Sequence, residues 1–202
     1  SIRSSHWARL GRVDVPRTLY ADSGEVQIAF QIVGEGSLDV VVVPTFVSNI
    51  ELAWDIPALA RQLALVGSFA RLIVFDRRGC GMSDGVAGAT PLEVQVDDVR
   101  AVMDAAGSEQ AVLMSVVEGC ALAVLFAATH PGAVRALTLL SPIARVVRGP
   151  GYEWAQSTDE RSERVAAFID AWGSSSPKNP WGPMLGADED ARRAWARYQR
   201  LS

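Results

Sequence analysis

The sequence has 202 residues and a formal net charge of −4 at neutral pH, with 49% hydrophobic and 21% charged residues. This composition is typical of a globular protein that is long enough for one domain with a sizeable core. The mild negative charge argues against nucleic acid as a main partner. No run of about 18 apolar residues occurs, which a membrane-spanning helix would need.

The cysteine content and the amino-terminal residues indicate the cellular compartment. The first residues are polar and basic and lack the apolar segment of a secretory signal, so we expect a cytoplasmic protein without a membrane partner. Cys80 and Cys120 are too few for a disulfide framework or a zinc site, and both are expected to be free and reduced. The sequence predicts no metal and no cofactor.

The first predicted elements form a β-hairpin. Residues 17–21 and 26–33 have strand character, and Asp-Ser-Gly-Glu at 22–25 is turn chemistry. Residues 1–16 are polar and without period, which predicts a tail or linker. The unbroken β-branched run that ends in proline at residues 40–44 predicts a central strand covered on both faces.

Helices and strands then alternate along the chain. Residues 50–66 are predicted to be helical with a local break at Pro57, and residues 71–76 are the next buried strand. Thr-Pro-Leu-Glu at 90–93 has the pattern of a capping box and opens a helix that we expect to end at Gly107. The alternation predicts an α/β fold: a mostly parallel sheet with an N-terminal antiparallel hairpin and helices on both faces.

A strand that turns directly into a helix is the main functional signal. Residues 111–116 are apolar and partly β-branched, residues 119–129 are small or apolar all round, and Pro131 ends the helix. Only Val117 and Glu118 separate the strand from the helix. A buried strand that turns directly into a buried helix has the shape of a nucleophile elbow, usually written G-x-S-x-G.

The register of this turn places a hydrocarbon where a nucleophile belongs. Ser115 stands at the first glycine of the pattern, Val117 at the nucleophile and Gly119 at the last glycine. An alternative register makes Ser115 the nucleophile, although a serine without a general base attacks weakly. Cys120 is a further candidate, because a helix N-terminus favours thiolate, but a small packing residue is the simpler interpretation.

The character of the chain changes after one more strand, predicted at residues 134–140. Residues 153–172 and 188–201 are amphipathic and rich in Arg, Ala and Trp, and a proline-rich segment joins them. We therefore expect a core over residues 17–145 and an incomplete helical cap over residues 146–202. The last strand would present an exposed apolar edge, to be covered by further chain or by a partner subunit.

The pattern resembles the α/β-hydrolase fold. The resemblance is carried by the hairpin, by VVVVPTF at 40–46, by FDRRGCGMSD at 75–84 and by the strand–turn–helix. The segments at 51–84, 97–112 and 125–137 resemble, more closely, the hydrolase-like domains found beside class III nucleotide cyclases or LuxR-type regulators in actinobacteria. The resemblance implies a sheet whose last two strands, with the Asp and His of a catalytic triad, are missing from this chain.

The resemblance also implies where a site would lie. Active members carry Ser or Asp at the place of Val117 and Gly at the place of Thr45. Two backbone N–H groups form the oxyanion hole of such enzymes, and here they belong to Phe46 and Glu118. These four residues are the predicted lining of a ligand pocket, which the β-carbon of Thr45 narrows.

Several other residues have competing interpretations. His6 precedes the domain and His130 lies roughly 15 Å from the turn, at the end of its helix, so neither is placed as a catalytic base. The glycine-rich loop after residue 76 is expected to be structural, held by Arg77 or Arg78. Four tryptophans could line an apolar pocket under the cap, form its core or make an oligomer contact: Trp54, Trp172, Trp181 and Trp195.

The sequence thus predicts a catalytically impaired hydrolase-like domain. It would bind a small apolar molecule or mediate association, and regulate a linked cyclase or transcription module. The alternative is an active esterase-, lipase- or epoxide-hydrolase-like enzyme whose remaining catalytic residues lie beyond residue 202. A purely structural dimerisation domain is a third class.

Overall fold

The computed structural model describes residues 15–176 and 188–202. Six strands are found in these residues: β1 (Leu19–Ser23), β2 (Val26–Val33), β3 (Asp39–Val43), β4 (Arg71–Phe75), β5 (Ala111–Val116) and β6 (Val134–Leu140). Five α-helices accompany them in the same part of the chain: α1 (Pro57–Gly67), α2 (Leu92–Ala105), α3 (Gly119–Thr129), α4 (Thr158–Ala171) and α5 (Glu189–Arg200). None of these helices has the length and apolarity needed to cross a bilayer.

The strands form one mixed sheet in the order β1-β2-β4-β3-β5-β6. β2 runs antiparallel to both of its neighbours, and the remaining pairs are parallel. The prediction of a mostly parallel sheet with an antiparallel hairpin is therefore confirmed. The hairpin turn is shorter than the predicted four residues, because Ser23 still pairs with Val26 and Gly24 takes the positive φ of 66° that a tight turn requires.

The two faces of the sheet are buried by different helices, because successive strand residues point to opposite sides. One face packs Phe30, Val41 and Phe75 against α2 and α3. The other packs Val40 and Leu72 against α1. The elbow helix α3 thus lies on the first face, directly behind the central strands.

Two predicted helix starts are wrong. Thr90 does not cap α2, which begins at Leu92 with no side-chain cap, and the Thr90 carbonyl instead accepts a hydrogen bond from Gln95 Nε2 at 2.8 Å. α4 begins at Thr158 and not at residue 153, because a capping box between Ser157 and Glu160 sets its start. The break at Pro57 is confirmed, since that proline opens α1 after a 3₁₀ turn over Leu52–Asp55.

β6 is an exposed edge of the sheet. It pairs with β5 on one side, and none of the other described strands pairs with its free side. Leu140, its last residue, is 65% exposed. The expected apolar edge is therefore present in this chain.

Helix α5 packs against the loop that follows β3. Tyr198 lies in a cluster with Val47 and Ile56, and the Asn49 side chain donates a hydrogen bond of 2.7 Å to the carbonyl of Leu201. Helix α5 consequently holds the loop after β3 in place. The domain division between core and cap stays a prediction.

Candidate functional site

The turn between β5 and α3 is a strained elbow. Val117 takes a φ of 51°, a left-handed conformation that is rare for a β-branched residue. The Val117 N–H donates to the carbonyl of Leu140 at 2.9 Å, and the helix begins two residues later, at Gly119. Neighbouring strand contacts thus hold a conformation that costs the chain energy, as is common at functional sites.

Gly119 fixes the register of the elbow. A β-carbon at this position would lie 2.6 Å from Ser115 Oγ and 2.8 Å from the Pro44 carbonyl oxygen. Only glycine allows the helix to approach the strands so closely. This geometry favours the register that places Val117 at the tip.

Ser115 lies inside the sheet. Its side chain donates a hydrogen bond of 2.8 Å to the Val43 carbonyl, and the residue is 2% exposed. A hydroxyl that is buried and already bonded to a strand has no access to a substrate. Ser115 therefore serves as a link between β5 and β3.

Neither cysteine is placed as a nucleophile. Cys120 is buried, with its sulfur 3.8 Å from the Leu140 carbonyl oxygen, which fits the packing interpretation. Cys80 is half-buried and donates a hydrogen bond of 3.4 Å to the carbonyl of Phe46. Burial raises the pKa of the Cys80 thiol, which favours its protonated form.

The side chain of Glu118 occupies the predicted oxyanion site. The Phe46 N–H, one of the two expected donors, donates a hydrogen bond of 2.9 Å to Glu118 Oε1. The backbone N–H of Glu118, the second expected donor, makes no hydrogen bond to any residue that the structure describes. A carboxylate of the protein itself thus contacts the backbone donor that the resemblance assigns to the developing anion of a substrate.

Sequence reasoning missed this contact. Phe46 and Glu118 are 72 positions apart, and the contact depends on which way a flexible side chain turns. One signal in the sequence could have indicated this contact. Glu118 directly precedes a predicted helix, and helix N-termini attract negative charge, so its carboxylate could be expected to stay near the turn and the backbone donor of Phe46.

An aromatic cluster borders the site. The ring of Phe46, which is 44% exposed, lies 5.8 Å from Phe168 and 6.1 Å from Trp172, and the last two rings are 5.1 Å apart. These rings come from the loop after β3 and from the end of α4. They form an apolar wall that includes Phe46, the residue whose backbone N–H binds Glu118.

Trp54 and Trp195 are structural. The Trp54 indole donates to Gln31 Oε1 at 2.9 Å and packs beneath α1. Trp195 stacks on Tyr198 with ring centres 5.2 Å apart and, like Trp172, packs against the cluster that joins α5 to the loop after β3. Trp181 lies outside the described residues. Among the tryptophans that the structure describes, Trp172 both packs against this cluster and contacts the Phe46 ring.

Thr45 and the histidines complete the predicted set. The Thr45 hydroxyl donates to the Val47 carbonyl at 3.1 Å, which tightens the loop before the site. His130 stacks on Phe126 with ring centres 4.7 Å apart, at the far end of α3. His6 lies outside the described residues. The described part of the chain brings no histidine to the elbow and contains no cluster of His, Cys, Asp and Glu that could hold a metal ion.

Asp76 joins the loops on either side of the site. It is fully buried and accepts hydrogen bonds from the backbone N–H groups of Ile50 at 3.0 Å and Met82 at 2.9 Å. Burial raises its pKa to about 6, although the two hydrogen bonds act in the opposite direction. A β-carbon at Gly81 would lie 2.2 Å from Asp76 Oδ2, so glycine is required for this approach.

Both arginines of the glycine-rich loop are used for structure. Arg77 binds the Gln95 side chain, with its Nε at 2.8 Å. Arg78 forms a bidentate ion pair with Asp98, with its Nε 2.7 Å from Oδ2. This is the structural role that the sequence predicted, and α2 is its anchor.

A mixed sheet of this order, with a strained strand-to-helix turn at its centre and a facing backbone donor, defines a hydrolase-type scaffold. The chain belongs to the α/β hydrolase fold family, whose profile matches residues 40–187. It is 33% identical to the AB hydrolase superfamily protein YisY of Bacillus subtilis (strain 168) over 100 residues, which are 48% of this chain and 37% of that protein. The chain thus spans little more than a third of this curated relative.

Solved structures show the same fold. A structure of the carboxylesterases of Nitrososphaera gargenis has a TM-score of 0.64 at 19% identity, over 92% of this chain and 67% of that one. The enol-lactonase of Burkholderia xenovorans LB400 has a TM-score of 0.59 at 18% identity, over 91% and 74%. An epoxide hydrolase mutant of Vigna radiata has a TM-score of 0.57 at 18% identity, over 76% and 46%. At these identities the likeness is one of fold.

Proposed function

We propose that this chain carries the elbow of a hydrolase-fold protein that binds a small apolar molecule without hydrolysing it. One observation carries the proposal: Val117 stands at the tip of the elbow, and the carboxylate of Glu118 lies on the backbone donor of Phe46. The first feature removes the attacking group. The second engages one of the two backbone donors of the predicted anion site.

The missing nucleophile and the engaged Phe46 donor affect the same chemical step. Ester hydrolysis at an elbow needs an activated nucleophile and donors that stabilise the oxyanion of the tetrahedral intermediate. The loss of one such donor alone reduces turnover about 10²- to 10³-fold. Here the donor of Phe46 is engaged by a carboxylate, whose charge would also repel the oxyanion.

The surroundings of the elbow support ligand binding. Ligand sites combine apolar and aromatic walls with a few polar groups. Phe46, Phe168 and Trp172 supply such a wall, and Glu118 supplies a polar group next to it. The strain retained at Val117 supports a site that has kept its shape after losing its nucleophile.

We propose that ligand binding at the elbow regulates a linked cyclase or transcription module. The resemblance of three segments of this chain to domains beside such modules supports it. Determination of the native gene beyond residue 202 tests this part. A cyclase or LuxR signature is expected there, whereas two strands followed by a histidine-containing loop and no such signature would favour an enzyme.

Hydrolysis of p-nitrophenyl butyrate tests the central part. We expect the protein and its Ser115→Ala variant to show the same rate as buffer, because Ser115 is buried and bonded to Val43. A rate above buffer that the substitution abolishes would show that Ser115 is a working nucleophile, and the proposal would fail.

A further inference from the structure

We infer that the ligand of the elbow site binds Glu118 through a hydrogen-bond donor, such as an alcohol, an amide N–H or an amine. Esters and carboxylates, which present acceptors, would be disfavoured. The inference deepens the proposed function and rests on it. It concerns the polarity of the site, which depends on the contact between Glu118 and Phe46.

The hydrogen-bonding capacity of Glu118 is only partly used. Its Oε1 accepts from the Phe46 N–H at 2.9 Å, and Oε2 accepts no hydrogen bond from the residues that the structure describes. An ionised carboxylate offers about four acceptor positions and no donor. The half-buried side chain therefore presents a free acceptor oxygen to the site.

The Glu118 carboxylate also lacks an ion-pair partner among residues 15–176 and 188–202. The nearby Cys80 thiol, which donates a hydrogen bond to the Phe46 carbonyl, has a pKa raised by burial, which favours its neutral form, so it does not add a second negative charge. A carboxylate without a basic partner favours a neutral donor or a cationic ligand over an anion.

The polarity is the reverse of that in a working hydrolase elbow. There, backbone N–H groups point at a substrate oxygen. Here the Phe46 N–H is already engaged by Glu118 Oε1, and the other carboxylate oxygen has lone pairs that can accept further hydrogen bonds. A ligand carbonyl or carboxylate would place lone pairs against lone pairs, whereas a hydroxyl or amine completes the hydrogen bonds of Glu118.

The aromatic wall indicates the chemistry of the rest of the ligand, beyond its donor group. Phe46, Phe168 and Trp172 form mutual ring contacts at 5.1 to 6.1 Å, and Phe46 remains 44% exposed. Exposed aromatic faces favour an apolar or aromatic ligand body, and a cationic head would also be attracted to them. The fitting ligand is an amphipathic molecule with a donor head.

Binding of three matched probes tests the inference. The probes are 4-phenylbutan-1-ol, 4-phenylbutylamine and 4-phenylbutanoate, which share one apolar body and differ in the head group. Isothermal titration calorimetry at pH 7.5 measures each Kd for the full protein. We expect the alcohol and the amine to bind about tenfold tighter than the carboxylate, or better.

Two matched variants assign the preference to Glu118. Glu118→Gln keeps an acceptor for the Phe46 N–H and adds an amide donor, so the carboxylate probe should bind at least as tightly as the alcohol. Glu93→Gln makes the same change at an exposed position on α2 and should retain the wild-type order. Thermal melts show whether each variant is folded.

The outcomes separate the two proposals. Equal or tighter binding of 4-phenylbutanoate by the wild-type protein would overturn the inference and leave the proposed ligand site standing. A wild-type order that survives Glu118→Gln in a folded variant would also overturn it. Binding of none of the three probes would remove the proposed ligand site and the inference with it.

Discussion

Strain at Val117 is the residue-scale feature on which the elbow depends. A side chain with a branched β-carbon at a φ of 51° costs about 1–2 kcal/mol relative to an ordinary conformation. We predict that Val117→Gly raises the free energy of unfolding by about 0.5–1 kcal/mol, because glycine adopts this conformation freely but gains entropy in the unfolded chain. Urea unfolding of the two proteins measures the difference.

The neighbouring residue provides the control. Val116 is the last residue of β5 and has no positive φ. Val116→Gly should lower the free energy of unfolding, because glycine weakens a strand. If both substitutions destabilise the protein equally, the strain attributed to Val117 is not present in solution.

Burial of Asp76 predicts a pH dependence of stability. Its pKa is raised to about 6 from an ordinary value of 3.8, so the folded protein holds a proton that the unfolded chain releases between these values. Protonated Asp76 therefore makes its complete contribution to the free energy of unfolding below about pH 4. This contribution falls, by about 3 kcal/mol in all, as the pH rises to about 6 and beyond.

Comparison with Asp76→Asn isolates this contribution. The asparagine does not titrate, although it offers one acceptor oxygen to the backbone donors of Ile50 and Met82. The stability of the wild type relative to the variant should fall between pH 4 and pH 7, as measured by urea unfolding. Parallel curves across this range would contradict the assignment.

Single positions of the elbow could be predicted from the sequence to different extents. Ser115, Val117 and Gly119 follow from a short motif on one continuous segment, and the observed turn fits their predicted places. The contact between Glu118 and Phe46 joins two loops and depends on a side-chain conformation, which no local pattern encodes. The residue at the tip of the turn could therefore be predicted from the sequence, whereas the contact between Glu118 and Phe46 could not.

At the scale of elements, the ion pair of Arg78 and Asp98 fastens the glycine-rich loop to α2. The two side chains are 12% and 2% exposed. We predict that Arg78→Met lowers the free energy of unfolding by about 3–5 kcal/mol, because it leaves the Asp98 carboxylate buried without its partner. Chemical denaturation of the variant gives the value.

A double substitution and a surface pair are the controls. Arg78→Met combined with Asp98→Leu should destabilise the protein less than Arg78→Met alone, since no buried charge remains. Arg193→Met on α5 breaks an exposed pair with Glu189 and should have a much smaller effect. A double variant that is no more stable than Arg78→Met would argue that packing matters more than the buried charge.

Elements could be predicted where the pattern is local and strong. β2, β5, α3 and β6 begin and end where the sequence places them, because apolar runs and the proline after α3 mark their limits. Helix starts were less predictable, since Thr90 and Ser157 have similar capping chemistry. Only Ser157 makes the reciprocal bonds with the residue three positions later, and that choice is made in the folded chain.

At the scale of the whole molecule, the free edge of β6 is the main liability of this chain. An exposed apolar edge strand offers unpaired backbone groups to another chain. We predict that the 202-residue chain self-associates as its concentration rises, and that Thr138→Lys in the middle of β6 weakens this association. Sedimentation velocity over a concentration series measures it.

A charge-matched control separates edge pairing from a general charge effect. Ala105→Lys adds the same charge at the exposed end of α2, away from β6, and should leave association unchanged. A chain that remains monomeric at all concentrations, or equal effects of the two lysines, would contradict pairing through this edge.

Reaction with a fluorophosphonate probe, followed by intact-mass spectrometry, is the sharpest test of the proposed loss of hydrolysis. The probe marks hydroxyl groups that act as nucleophiles beside an oxyanion hole, and in this protein Val117 and the carboxylate of Glu118 are proposed to stand at these two positions. We predict an unchanged mass after prolonged incubation at pH 7.5. Stoichiometric labelling of one residue would contradict the account, because it would show a working nucleophile at the elbow.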